Sequence, residues 1–486
     1  MLVLSLVIRK EILKRLYDLR FLLLLGVSLM LAVVSTLASA HEFALRRQSY
    51  RRQQHQASEH TNLDHAFVVK PPNPFLFIRD GERDLPRVVK IEPHILYYVE
   101  NTDTTERSLL ENATSLDWVF IFVYVYSFLA LLMTYDAIAG EKERGTLAQM
   151  LSNSCPRSTV ILGSFIGNVF VLWVPLLMTC LLSLLLIVAD GQIRLTFADG
   201  LRIGIVILLS GLFVTLMGGL GLLASTLFHR SSTALVVALL LWICMVIVVP
   251  GGVRLWVEYA YPIPSLKEVR DQLWQAKRVM FAATGISTEP VWEIISTPGL
   301  TEAQRRERLA ALQAETYARN ERALEQFAVT TGKILAAYYA KLAYQAETAR
   351  WLSRVSPASA YQYAVEEILP AGTVRHRQFL AAARHYMDAY TAVAGVLRKR
   401  LRAKARVRGG WGTITYEGRT YRLNSISEIS YADVPFDRRQ LPEFQMPSSN
   451  VTRSMGRVGW NALILILFGF VLFSLTYVIF LQYDVR

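Results

Sequence analysis

Directly after an apolar run that ends at Tyr135 and Asp136, the chain carries a dense cluster of opposed charges, Glu141, Lys142, Glu143 and Arg144. Gly145 follows and allows a sharp bend. Thr146 and Gln149 have the spacing of a capping box, in which the hydroxyl accepts from an exposed amide and the Gln side chain reaches back. The helix that starts there puts Leu147, Met150 and Leu151 on one face and must stop near Pro156. These residue types suit docking, not bond making: a short amphipathic helix held outside a membrane by the segments on either side. A plain polar loop is the alternative reading.

Other residues capable of chemistry are scattered. His55, His60 and His65 recur every five residues with Asp64 beside the last, a spacing that does not align side chains on a helix face, so solvated histidines are expected there. His376 and His385 flank FLAAAR with no ligand partners nearby. Cys155, Cys180 and Cys244 form neither a disulfide framework in the polar regions nor a CxxC zinc site. The chain has no GxxxxGK[ST], HExxH or GxSxG, so no nucleotide cradle, zinc protease helix or nucleophile elbow is present, and neither catalytic, cofactor nor metal residues are assigned.

These residues must be positioned by a membrane scaffold. With 486 residues, 53% hydrophobic and a mean hydropathy of +0.30, the chain is too apolar for a soluble protein of its size. Its net charge of +13 suits anionic lipid headgroups, and no aromatic-basic pattern points to nucleic acid.

Residues 1–20 read as an interfacial amphipathic helix, with Ile8, Ile12, Leu16 and Leu19 on one side and Arg9, Lys10, Lys14 and Arg15 facing headgroups. A first span covers 21–40 and a polar insert 41–116, with strand-like runs such as VVKIEPHILYYV. Spans two to five occupy 117–252, with the charged loop at 137–158 between the second and third. In the fourth, Thr215 and Gly219, and Gly221 and Ser225, stand four apart and allow close packing, within the chain or against a second copy.

Residues 254–457 form a large, mostly helical domain, and 459–481 the last span. Thr301 and Gln304 open a long helix, with a break expected near Gly332, and GTITYEGRTYRL reads as a β-hairpin. The expected fold is therefore an all-α polytopic membrane protein of about six spans with a small β-hairpin element. The basic residues before the first span and in the charged loop put both termini in the cytoplasm and the inserts outside, against the contrary vote of Arg46, Arg47, Arg51 and Arg52. The span centres lack Lys, Arg, Asp and Glu, and Asn168 suits a structural hydrogen bond, so a proton- or sodium-coupled mechanism has no buried ionisable group to use.

The segment YDAIAGEKERGTL after the second span resembles the coupling loop of ABC-2-type transporter permeases, and the N-terminal helix and six-span layout are similar too. The insert before the last span and the ending FLQYDVR resemble a bacterial branch with large extracytoplasmic domains. The resemblance implies a permease subunit in the bacterial cytoplasmic membrane. It implies a separate ABC ATPase subunit that binds ATP, so this chain itself holds no cofactor and is not an enzyme. It further implies a homodimer or a heterodimer with a similar permease, and export as the direction. By carry-over, Glu141, Glu143, Arg144, Gly145, Thr146 and Leu147 lie in the ATPase-contacting loop. The competing reading is a membrane-anchored sensor or assembly scaffold whose external domain binds a partner.

Overall fold

A computed structural model describes residues 2–82, 85–92, 95–98, 116–152, 156–193, 195–284, 289–404, 406–408, 411–416, 419–423, 437–447 and 451–482. Cys155, the Glu-Gly turn of the expected hairpin and the last four residues of FLQYDVR lie outside them. Six helices among the described residues are long and apolar enough to cross a membrane: Leu19–His60, Trp118–Glu143, Arg157–Asp190, Phe197–Leu227, Ser231–Ala260 and Met455–Leu481. Hereafter these are the first to sixth spans.

The first helix does not stop at residue 40. Residues 41–60 contain neither Gly nor Pro, so nothing breaks the backbone pattern, and the helix continues until Thr61 caps it through Ala57 O. At about 1.5 Å per residue it outruns the ~30 Å hydrocarbon core by several turns. His55 and His60 ride on this extension. His55 pairs with Glu59, His60 Nδ1 contacts Gln56 O, and His65 lies beyond the helix against Asn62.

The fourth span is the centre of the bundle. Its small residues let neighbours approach to contact: a Cβ on Gly221 would sit 2.1 Å from Thr134 Oγ1 of the second span, and one on Gly211 would meet the Trp173 ring of the third at 2.5 Å. Trp173 Nε1 donates to Thr215 Oγ1, and Ser225 Oγ accepts from backbone amides of the second span. The small-residue spacing is thus used within the chain. Pro175 lies inside the third span without ending it.

Two three-stranded antiparallel sheets lie in the inserts. In the first, β1 (Ala66–Val69) pairs with β2 (Val88–Glu92), which pairs with β3 (Ile95–Tyr98), so VVKIEPHILYYV is a strand pair. In the second, β4 (Arg406–Arg408) joins the expected hairpin of β5 (Trp411–Tyr416) and β6 (Arg419–Leu423). The larger insert is otherwise helical. Its long helix, Glu302–Ser353, begins at a complete Thr301–Gln304 capping box and passes Gly332 without a break. One glycine costs about 1 kcal/mol in a helix interior, too little to interrupt 52 residues that also pair with the helix Leu266–Ala283.

One element of this insert lies within the helical bundle. After Ser353 the chain turns at Ser356, whose side chain accepts from Ser359 N, and Pro357–Ile368 forms a helix buried within the bundle. Ser356 Oγ donates to Met245 O, halfway along the fifth span. The Tyr361 ring stacks on Phe213, midway along the fourth, with centroids 4.9 Å apart, and its hydroxyl is 2.7 Å from Ser210 Oγ. The chain then leaves through Gly372, whose φ of +56° only glycine adopts freely, into the helix Gly372–Lys404.

Where this buried helix ends, the two inserts are bound to each other by ion pairs. Arg79 donates to Glu366 at 2.9 and 3.1 Å, Arg350 pairs with Glu366 and Glu367, and Glu82 accepts Lys70 at 2.9 Å and Arg375 at 3.1 Å. Arg46 of the first span holds Asp80. Beside them Gly81 and Gly372 touch through their backbones; a Cβ on Gly81 would stand 2.9 Å from Gly372 Cα.

Candidate functional site

At the opposite end of the bundle, the second span turns into the third through two short helices, Ala139–Glu143 and Thr146–Ser152. Gly145 joins them with φ +73°, and a Cβ there would meet nothing within 4 Å. The sharp bend read from the sequence is therefore a backbone requirement, not a packing one.

The expected capping box does not form. Thr146 Oγ1 donates to the Glu141 carboxylate, and Gln149 N bonds Gly145 O. A carboxylate is the stronger acceptor for a hydroxyl, and the Gly145 turn brings Glu141 within reach.

Glu141 is itself buried and accepts Lys14 at 2.7 Å and Lys10 at 3.4 Å from the N-terminal helix, Leu2–Leu16. Asp136 accepts Arg15 and Arg20, each at 2.8 Å, and Arg20 also lies over the Tyr135 ring. Three of the four cations expected at lipid headgroups, Lys10, Lys14 and Arg15, thus bind protein carboxylates instead, while Arg9 is exposed. The helix packs on the third span through Gly163 and Gly167, where a Cβ would collide with Val7 and Glu11. That close approach, with cations on the flank facing the elbow, explains why Arg15 is only 1% exposed.

The elbow is tied to the remaining spans as well. Ser225 Oγ of the fourth span accepts the Ile138 and Ala139 amides at 2.9 and 2.8 Å. Lys142 Nζ donates to Thr226 O and Phe228 O just beyond it. Glu143 accepts Ser231 Oγ at 2.6 Å at the start of the fifth span. Leu147 enters an apolar cluster with Ile138, Val160, Ile161, Leu222 and Phe480, against which Met150 and Leu151 also pack. Arg157 donates to Leu481 O at the end of the sixth span.

Of the six residues singled out in the sequence, Glu141 and Leu147 therefore face inward and hold the elbow in place. Glu143, Arg144 and Gly145 are exposed, and Thr146 is half-buried. Ala148, Gln149 and Ser152 extend the exposed face beyond them. The sequence reading missed the anchors Lys10, Lys14, Arg15, Arg20, Asp136, Ser225 and Ser231. Only Asp136, placed at the very end of an apolar run, carried a local signal. The result is a rigid ledge, fixed to the N-terminal helix and to all six spans by direct contacts or covalent continuity, with a short helical face left open.

This scaffold and ledge define a multi-pass helical membrane protein with an ion-paired elbow between its second and third spans. The family description "ABC-2 family transporter protein" matches residues 5–485, and the chain belongs to that family as a multi-pass membrane transport subunit. It is similar to the probable ABC transporter permease protein NosY of Stutzerimonas stutzeri, with 30% identity over 135 residues. That match takes in 26% of this chain and 45% of NosY, so the likeness spans less than half of the relative's length.

Proposed function

We propose that the open face of the elbow, Arg144, Ala148, Gln149 and Ser152 with the Glu143 and Gly145 backbone beside it, is where a separate ABC ATPase pushes on this permease. The observation that carries this reading is the contrast within one short helix: Leu147 locked into a core shared by the third, fourth and sixth spans, and the adjacent Ala148 and Gln149 exposed. A helix held in this way passes a rigid-body displacement to the spans without absorbing it. The elbow and both termini then lie in the cytoplasm of a bacterial cell and the inserts outside its cytoplasmic membrane. ATP binds the partner chain, two permease copies or two similar permeases complete the transporter, and the cargo moves outward.

Co-expression of the chain with the ATPase encoded beside it, followed by affinity purification and ATP hydrolysis in detergent, tests this. Wild type is expected to bring down the ATPase. Ala148→Arg, on the exposed face, and Glu143→Arg are expected to lose it while the permease keeps its elution volume. If no ATPase accompanies wild type, the reading fails. Single cysteines at positions 51 and 144, in a background without the native three, should label from opposite sides of the membrane. Labelling from one side would overturn the orientation.

A further inference from the structure

Between the third, fourth and sixth spans, on the elbow half of the bundle, lies a cavity of about 280 Å³. Its walls are apolar: Phe165, Leu216, Leu222, Ile466, Phe470 and Phe473 contribute, and Gly219 and Gly469 leave the space open by lacking side chains. Two threonines also line it, but Thr215 Oγ1 donates to Gly211 O and Thr476 Oγ1 to Leu472 O, so neither hydroxyl needs a ligand. Two of its lining residues, Ile466 and Phe470, are 54% and 67% exposed on a span that must face hydrocarbon.

We infer that this groove seats one acyl chain of a phospholipid from the leaflet on the elbow side. An apolar cavity of about 150 Å³ stays dry and holds a benzene, so this one has room for an apolar segment roughly twice as large. Its depth fits the same occupant. Thr476 and Ile466 lie five and fifteen residues from Leu481, or about 7 and 22 Å along the helix, the stretch covered by one leaflet of a ~30 Å hydrocarbon core. Arg157, bonded to Leu481 O, stands at the elbow end, where the guanidinium meets the phosphate level.

The groove also shares Leu222 and Phe165 with the apolar cluster that holds Leu147, so the chain would rest against the elbow's own core. Assigning that leaflet to the cytoplasmic side rests on the orientation proposed above. The seat itself does not.

The test uses the full chain reconstituted in vesicles of phosphatidylethanolamine and phosphatidylglycerol, doped with a phospholipid bearing a diazirine midway along one acyl chain. After irradiation, peptides are mapped by mass spectrometry. Adducts are expected to concentrate on residues 165, 212–222 and 466–476, above the level on other lipid-facing surfaces. Gly469→Leu fills the groove where a Cβ meets nothing within 4 Å, and Gly219→Leu fills it from the fourth span. Either should cut those adducts about tenfold, the equivalent of ~1.4 kcal/mol of binding. Gly204→Leu, at an exposed glycine of the fourth span outside the groove, should leave them unchanged.

Two variants on different helices keep the test decisive if one fails to fold. Adducts spread evenly over the lipid-facing helices would overturn the inference. So would adducts untouched by either filled variant, or a disulfide between two copies through a cysteine at position 470, which would put a second copy in the groove. Adduct mapping does not depend on ATPase capture, so the inference and the proposed function can fail separately.

Discussion

The two ends of the bundle both carry ion pairs, but they use them differently. At the elbow, Glu141 is bound by Lys10 and Lys14 of the N-terminal helix and Asp136 by Arg15 of that helix and Arg20 at the start of the first span, and the Asp136 side chain keeps 22% of its surface. At the insert end, Glu366 and Glu82 each bind an arginine from the other insert, 287 and 293 residues away in sequence, and their side chains are 7% and 5% exposed. The first arrangement braces a surface that must stay open on one side. The second is a clamp closed on all sides, holding the buried helix Pro357–Ile368 in register with the first insert. The difference predicts that the clamp governs stability and the elbow governs what the protein binds.

Breaking the clamp should therefore have the largest effect. Glu366→Ala leaves Arg79 with Asp117 at 3.7 Å and Arg350 with Glu367 at 3.4 Å as carboxylate partners among the described residues, so the loss should lie near the lower end of the about 3–5 kcal/mol for breaking a buried pair. Asp136→Ala strands the buried Arg15, whose Nε and Nη2 have no hydrogen-bond partner among the described residues. Because Arg20 and Asp136 are partly exposed, the elbow loss should be nearer 2 kcal/mol. Thermal unfolding of the purified variants, followed by tryptophan fluorescence, checks the order. An Asp136→Ala protein less stable than Glu366→Ala would contradict the comparison.

The clamp region also carries a pH signature. Burial, with the Lys70 cation beside it, pushes the His376 imidazole down to about 4. An unfolded histidine takes its proton near 6.5, so between pH 6.5 and 4 the unfolded chain binds more protons than the folded one. The stabilisation is complete above pH 6.5 and is lost as the pH falls through that window, by at most about 1.4 kcal/mol per pH unit. Between pH 7 and pH 5 the wild-type melting temperature should drop, and His376→Gln should drop less. Equal drops would exclude His376 as the source.

How much of this was legible in the sequence follows from the range of each interaction. The spans, the Gly145 bend, the Thr301 capping box and the β5–β6 hairpin are written in local periodicity and turn residues, and each was read there. The Thr146–Gln149 box was misread because its outcome depends on Glu141, a better acceptor brought close only by the turn. The helix Pro357–Ile368 was missed for a different reason. At twelve residues it is too short to register as a span, and Tyr361 becomes a core residue only because Phe213 and Ser210 receive it. Ser356-Pro357 was a legible helix start, but nothing local says on which side of a membrane surface it lies. The anchors of the elbow were invisible for the same reason: Lys14 and Glu141 are 127 residues apart.

The smallest expected effect on stability is the one that most directly isolates the elbow. A Gly145→Ala side chain would touch nothing, so its whole cost is that of holding an L-residue at φ +73°, about 1 kcal/mol. Asn tolerates that region better than Ala, so Gly145→Asn should fall between Ala and wild type. If the open face works only while Gly145 sets its angle to Glu141, capture of the ATPase should follow the same order, wild type above Asn above Ala, although melting temperatures barely separate. The order distinguishes a backbone requirement from a side-chain contact, because Asn is the larger intrusion and would be the worse substitution if room at the face were what mattered. Capture weakened more by Asn than by Ala would assign Gly145 to the contact surface itself, and the elbow would then be a docking patch rather than a braced lever.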